Sequence, residues 1–243
     1  MRIVFSRKGF DSASGGGASP IVDGRPLSLP IPAARGLSRT RYGALGLGAH
    51  AAHASRGRLG AHDDCHHDPM FLPDGTCLFG QCGAAQTHLE NRGVGAGDVF
   101  VFFGLFREAG RAAHHRIFGM MRVEEMVPLA NCTDARLEHW RMLGHPHALG
   151  LHARNDALWI GPGRTAGSAP PGLRLSVMQG PPSLWHVPGW LKQSGLSYHD
   201  SPERWRRGGL LQSVARGQEF VADIGRRKEP RAWLEEIARL IEA

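Results

Sequence analysis

Val99-Phe-Val-Phe-Phe-Gly-Leu-Phe106 is the stretch on which the fold turns. Every residue in it except Gly104 is apolar, and most are β-branched or aromatic. A short apolar run of that kind, without polar alternation, predicts a central strand buried on both faces. A second strand follows at His115-Arg-Ile-Phe-Gly-Met-Met-Arg-Val-Glu124. Upstream, Gly83-Ala-Ala-Gln-Thr-His-Leu-Glu-Asn-Arg92 predicts a short helix stopped by Gly93. Arg2-Ile-Val-Phe5 reads as an opening strand and Ser19 to Gly24 as a turn. Residues 27–32 alternate, but Pro30 and Pro32 confine them to a sheet edge. The Ala/Gly/Arg/His-rich stretch 33–62 predicts a loose helix or an ordered loop. Downstream, 133–143 predicts a helix capped by Thr133, with strands at 155–160 and 173–178. The Pro/Gly-rich segment 161–172 reads as a long loop, and Trp185 to Leu191 as a short helix or turn broken at Pro188. Residues 230–243 form the clearest amphipathic helix, with Trp233, Ile237, Leu240 and Ile241 along one face. No repeat, heptad run or linker interrupts the pattern. The expectation is an α+β fold: a single domain over residues 1–243, with a mixed or mainly antiparallel central sheet flanked by helices.

Composition narrows the function classes. Of 243 residues, 42% are hydrophobic and 21% charged, which supports a buried core and excludes a disordered chain. No apolar run approaches the ~18 residues of a membrane helix. Met1 to Lys8 lacks the apolar stretch of a signal peptide, and four Cys make no disulfide framework, so a reducing cytoplasm is expected. The formal charge of +7 permits a polyanionic partner. Arg outnumbers Lys 26 to 3 among many Ala, Gly and Pro, a bias that a GC-rich genome produces as readily as selection for phosphate contacts. The 14 His carry more information, because imidazole is the commonest metal ligand and the usual proton shuttle.

The densest cluster is His62-Asp-Asp-Cys-His-His-Asp68, seven consecutive potential ligands. In an extended chain His66 and Asp68 point to one side and His67 to the other. His66-x-Asp68 with a distant His matches the first half of a facial triad, a short and frequent pattern. The bland alternative is a solvated polar loop. His88 shares a helical face with Gln81, Ala84 and Ala85, although a lone His there is more often half-buried and hydrogen-bonded. Strand alternation turns only one of His114 and His115 inward. His145-Pro-His147 sets two imidazoles on one side of an extended segment, and His199 reads as a ligand, an acid/base or a surface residue. Cys77 and Cys82 stand five apart, with Cys65 and Cys132 alone, so no C-x-x-C zinc pair exists. There is no dinucleotide fingerprint, phosphate-binding P-loop or nucleophile elbow. Gly15-Gly-Gly17 is a weak candidate anion nest.

Several segments share one likeness: Ser6-Arg-Lys-Gly-Phe-Asp-Ser12 with Gly15-Gly16 and Ser19-Pro-Ile21; His66-His-Asp-Pro69; Phe79-Gly-Gln-Cys-Gly-Ala-Ala-Gln-Thr-His-Leu89; and Gly97 to Arg107. To these add His115 before Phe118-Gly119, His145-Pro-His147, Ser183-Leu-Trp185, Leu196-Ser-Tyr-His199 and Ser213 to Val221. Together they resemble the nucleotide-modification-associated domain, type three, in order and over nearly the whole chain. The resemblance implies modification of bases in DNA, with tailoring of peptides as another pathway for some members. It implies a site lined by Lys8, Asp11, His66, Asp68, Gln81, Gln86, His88, His115, His145, His147, His199, Arg216, Gln218 and Glu219. One departure stands out: the family pattern has a second acid two residues after Asp68, where this chain has Met70. His67, Asp64 or water would then substitute.

The resulting expectation is a metal-dependent enzyme using non-haem iron, with zinc or manganese as alternatives, for an oxidative or group-transfer modification. The expected ligands are His66, Asp68, His88, His115 and His147. His199, Glu219 and Asp11 are the expected catalytic or supporting groups, and Lys8, Gln81, Gln86, Arg216 and Gln218 the expected substrate contacts. The substrate is a nucleobase, nucleotide or nucleic acid, or alternatively a residue of a ribosomal peptide. A competing reading is a non-catalytic nucleic-acid-binding module in which Trp185, Trp190, Trp205 and Tyr198 stack bases beside Arg204-Trp-Arg-Arg207. A third leaves the histidines scattered over the surface.

Overall fold

Alternation divides the central apolar run between two cores. Val99, Val101 and Phe103 pack with Ile3, Phe5, Trp185, Phe220 and Ile237, whereas Phe100, Phe102 and Phe106 pack with Val4, Phe79, Phe118 and Trp159. A strand apolar on both sides is stable only when both faces are covered, which places it at the centre of the molecule. The computed structural model describes residues 1–152, 154–215 and 219–243. Its strands are β1 (Arg2–Arg7), β2 (Ser19–Val22), β3 (Arg25–Pro26), β4 (Met70–Phe71), β5 (Thr76–Gln81), β6 (Val99–Glu108), β7 (His114–Arg122), β8 (Glu125–Pro128), β9 (Ala157–Thr165), β10 (Leu184–His186), β11 (Trp205–Arg206), β12 (Leu210–Gln212) and β13 (Glu219–Asp223). Its helices are α1 (Gly48–Ser55), α2 (Gly83–Asn91), α3 (Asp134–Met142), α4 (Gly189–Ser194) and α5 (Lys228–Glu242).

The fold class is α+β, as expected. The main sheet runs β13-β1-β6-β7-β9-β5-β4, with β2 also on β6, β3 on β2 and β8 on β9. β1 and β2 pair parallel with β6 and the other pairs are antiparallel, so the sheet is mixed. β10, β12 and β11 form a small antiparallel sheet of their own. α5 covers one face of the main sheet through Leu234, Ile237 and Ile241. Trp233 and Leu240 are only partly buried against that face.

Several local expectations need correction. The segment 161–172 is not all loop, because β9 continues to Thr165. Gly161 and Gly163 are small there because the Arg122 and Met120 carbonyls approach them closely: an added Cβ would lie 2.0 Å and 2.9 Å away. Residues 173–178 form no strand, making only isolated bridges to Arg116 and Trp185. Residues 27–32 likewise carry one isolated bridge, Pro32 to Cys65, because their prolines lack N–H donors. Thr133 does occupy the cap position of α3, but its side chain makes no capping bond. β5 and β13, which build the site, are additional to the expected strands.

Candidate metal centre

The segment around His66 is extended because the preceding chain zips onto residues 31–33. Ala33 N–H donates to the Asp64 carbonyl and His66 N–H to the Ile31 carbonyl. Extension puts His66 and Asp68 on one side, and both border the same cavity of about 430 Å³. β5 forms an adjoining wall: Gly80 N–H donates to Asp68 Oδ1 at 2.8 Å, and Gln81 faces in. His147 enters from the 3-10 turn Pro146–Leu149, and His152 follows five residues later. One donor atom from each of His66, His147 and His152 lies within 4.8 Å of the others. The His147 and His152 rings stack with centroids 4.2 Å apart, and the His66 ring is 5.2 Å and 5.5 Å from them.

The electrostatics suit a cation. Burial pushes the His66 imidazole down to about 3 and His147 down to about 4, and lowers His152 as well. All three are therefore neutral at pH 7, with lone pairs available. His147 Nδ1 meets Asp156 Oδ1 at 2.5 Å, which leaves Nε2 to point elsewhere. A carboxylate behind an imidazole fixes its tautomer and orientation in the way metal-bound histidines require. Burial raises Asp156 to about 7, so the acid is poised to ionise when positive charge arrives. Burial also works to raise Asp68, but His145, His147 and Lys8 outweigh it and hold this carboxyl well below the usual range. His152 Nε2 is buried with no hydrogen-bond partner among the described residues. Three neutral imidazoles, two supporting carboxylates and an unsatisfied ring nitrogen form a donor set that fits a divalent metal of the iron–zinc class.

The other expected residues fall into two groups. Lys8, Asp11 and Gln81 border the same cavity. Lys8 Nζ is 3.2 Å from Glu219 Oε1, which also accepts from Gln81 Nε2 at 2.7 Å and Ser6 Oγ at 3.2 Å. Asp11 Oδ1 accepts from the Ala13 and Ser14 N–H groups, closing an Asx turn at the rim. The structure does not bring His88, His115, Gln86 or His199 to the three histidines. His88 Nε2 pairs with Ser197 Oγ at 2.9 Å and its ring packs on Tyr198. His115 Nδ1 accepts the Trp185 indole N–H at 3.0 Å inside the core. Gln86 bridges Glu90 and the Trp159 indole. His199 Nδ1 faces the Ser197 carbonyl and its Nε2 accepts from Val214 N–H, so it fixes the segment leading to Ala215 at the cavity. Arg216 and Gln218 lie outside the described residues.

The expected residues do not include His152 and Asp156, which lie five and nine residues beyond His147, past the turn that carries it. Gly15 to Gly17 pack against Phe10, Arg58 and the Ala54 carbonyl rather than presenting an open nest. Trp185 and Trp190 are buried in the core, which removes them from any base-stacking surface.

A family model, nucleotide modification associated domain 3, matches residues 2–223. The chain belongs to that family. Membership associates this nucleotide modification associated domain with a nucleotide or nucleic-acid substrate. No curated protein and no solved structure matches it. Among the described residues no helix is long and apolar enough to cross a membrane.

The buried histidines outside the cavity carry a pH prediction. Burial, then Arg174 and Arg116, pushes His114 down to about 4; burial, then Arg7 and His114, pushes His115 down to about 3. Between the ordinary value of about 6.5 and these values, the unfolded chain binds protons that the native chain does not. Stability is therefore present above about pH 6.5 and is lost as pH falls, by about 1.4 kcal/mol per pH unit for each histidine. Urea melts at pH 7.5 and pH 5 should show that loss, and His115→Phe should shallow it. Equal midpoints at both pH values would count against buried neutral histidines.

Proposed function

We propose that the chain is a divalent-metal enzyme that modifies a nucleobase, with His66, His147 and His152 as its protein ligands and Asp68 beside them. The observation that carries this reading is the convergence of three neutral imidazoles on the wall of a cavity. Bound there, a metal of the iron–zinc class supplies Lewis acidity, and iron adds redox chemistry, at open coordination positions. Asp156 holds the His147 ring in orientation, and Lys8 and Gln81 present an ammonium and an amide to whatever shares the cavity. A volume of about 430 Å³ takes one base or nucleoside but no duplex, so a base within a polynucleotide would be turned out of its stack to enter. The family association supports a nucleotide over a peptide, and the burial of Trp185 and Trp190 weakens the case for a non-catalytic base-stacking module.

Elemental analysis of protein purified without a histidine tag tests the metal. At least one equivalent of iron or zinc is expected, lost in His66→Ala and His152→Ala and kept in His88→Ala. Metal-free wild-type protein, or metal indifferent to His66 and His152, would sink the reading. For the substrate, nucleosides digested from the DNA of expressing cells should contain a mass-shifted species that His152→Ala abolishes. Its absence, with the metal present, would move the substrate away from DNA bases.

A further inference from the structure

From Arg25 to His62 the chain carries six arginines and no Asp, Glu or Lys. The whole sequence holds 29 Lys and Arg against 22 Asp and Glu, so with this stretch set aside 23 basic residues face 22 acids. The formal charge of +7 therefore sits almost wholly on one segment. A bias of Arg over Lys does not empty a stretch of acids, so genome composition alone does not account for it. All six arginines are exposed. They stand on a folded platform, because Tyr42, Ala51 and Ala54 pack with Phe10, Leu29 and Cys65 in a small core of their own.

Arg35, Arg39 and Arg41 border one open groove of about 760 Å³, together with His62 and Asp64. The loop that carries them is pinned from below. Ser38 Oγ donates to the Cys65 carbonyl at 2.6 Å, Cys65 N–H to the Thr40 carbonyl and Tyr42 N–H to the Asp63 carbonyl. Ser38 and Tyr42 are thus buried while the three arginines stay in solvent. Asp64 is the carboxylate on the groove, and it is already engaged by Arg41 Nε at 3.5 Å and by the Gly36 N–H at 3.1 Å. The Arg35 and Arg39 side chains have no ion pair or hydrogen bond among the described residues. Cations fixed on one wall with a single, engaged counter-charge favour an external polyanion. The segment from Asp64 to Asp68 joins this groove to the three-histidine cavity: Asp64 borders the groove, and His66 and Asp68 border the cavity. Arg25 stands at the far end of the same segment, in a cavity of about 440 Å³ shared with His67, Asp68 and Pro69.

We propose that this arginine face holds the phosphate backbone of a nucleic-acid strand, with Arg35, Arg39 and Arg41 on its phosphates, while a base of the same strand occupies the three-histidine cavity. The inference rests on the nucleotide reading of that cavity and makes its substrate a polymer rather than a free nucleotide. Guanidinium groups suit the role, since each offers a planar fork of donors to phosphate oxygens and stays charged at any working pH. A pinned loop presents them with little ordering left to do on binding. Phosphate contacts position a strand without reading its sequence, so the choice of base is left to the cavity.

The test is fluorescence anisotropy of a labelled single-stranded DNA of about 20 nucleotides, titrated with the full chain between about 50 and 200 mM salt. Three phosphate contacts on a single strand contribute about 2 to the slope of log affinity against log salt, or roughly 20-fold over that range. The triple variant Arg35→Gln, Arg39→Gln, Arg41→Gln should lower the slope by about that amount and weaken low-salt binding at least about 10-fold, with metal content unchanged. If it fails to fold, the double variant Arg35→Gln, Arg39→Gln breaks no bond and should lower the slope by about 1.4. Arg206→Gln, Arg207→Gln, Arg226→Gln removes the same charge from other exposed positions and should bind as the wild type does. Equal weakening in both triple variants would overturn the face and leave only net charge. Displacement of the DNA by polyglutamate at equal charge concentration would give the face to an acidic protein and overturn the nucleic-acid assignment. A wild type that holds metal and a nucleoside monophosphate but no DNA at low salt would overturn this inference and leave the cavity reading standing. Arginine-dependent DNA binding by a chain that holds no metal would do the reverse.

Discussion

Gly80→Ala is expected to abolish stoichiometric metal binding while leaving the fold largely intact. A Cβ on residue 80 would lie 2.1 Å from His147 Cδ2, 2.3 Å from Cγ and 2.7 Å from Nε2, all inside the closest approach that real side chains make. The backbone has little room to retreat. Gly80 is paired with Leu158 across β5 and β9, and its N–H is committed to Asp68. The imidazole must move instead, and it is held by Asp156 on one edge and stacked on His152. Swinging it away breaks the Asp156 bond and carries Nε2 out of the three-histidine group. Loss of an outer-shell partner alone typically weakens a metal site by about 10–100-fold, so displacing a ligand together with its partner should cost at least about 100-fold in affinity. Overpacking of this kind costs about 1–3 kcal/mol of stability, or roughly 2–12 °C in Tm for a chain this long. Competition against a chromophoric chelator measures the first quantity and a thermal melt the second. Gly95→Ala, where an added Cβ meets nothing within 4 Å, is the matched control. Wild-type affinity in Gly80→Ala would mean that His147 is no ligand.

What the sequence made legible follows one-dimensional periodicity. β6 and α5 were readable because each carries its own burial pattern, a continuous apolar run in one and a helical stripe in the other. The end of β9 was not, because Gly161 and Gly163 look like loop residues until the Arg122 and Met120 carbonyls are seen against them. The site divides the same way. That His66 and Asp68 face one cavity follows from alternation along three residues. That His152 joins them depends on the path of the chain after the turn Pro146–Leu149, which no period encodes. His88 and His115 are imidazoles like the rest, and composition cannot tell a histidine facing a cavity from one satisfied by Ser197 or Trp185. Local pairing of that kind is a property of the folded neighbourhood, and it is why a count of 14 His pointed to a metal centre without saying which histidines make it.

Glu219→Ala is expected to produce the largest loss of stability of any single truncation near the cavity. Its carboxylate is 1% exposed, and Oε1 alone takes the Lys8 ammonium, the Gln81 amide and the Ser6 hydroxyl. These donors come from β1, the residue after it and β5, so one oxygen ties β13 both to its sheet neighbour β1 and to β5, which is not paired with it, at the cavity wall. Truncation leaves a buried ammonium and a buried amide without an acceptor, and breaking a buried pair in this way costs about 3–5 kcal/mol. For this chain length that is roughly 6–20 °C in Tm. The Phe79 ring, 4.3 Å from Lys8 Nζ, offsets part of the cost through its π face. Glu219→Gln keeps the volume and an acceptor and should fall between the wild type and Glu219→Ala. The double variant Lys8→Met with Glu219→Leu removes both charges at once, and it should be more stable than Glu219→Ala despite carrying more changes. The reason is that most of the penalty lies in the charge left unpaired rather than in the attraction lost. A denaturant double-mutant cycle separates the two. If Lys8→Met alone restores nothing to Glu219→Ala, the cost belongs to Gln81 and the strand junction, and the ion pair is only a neighbour of the interaction that matters.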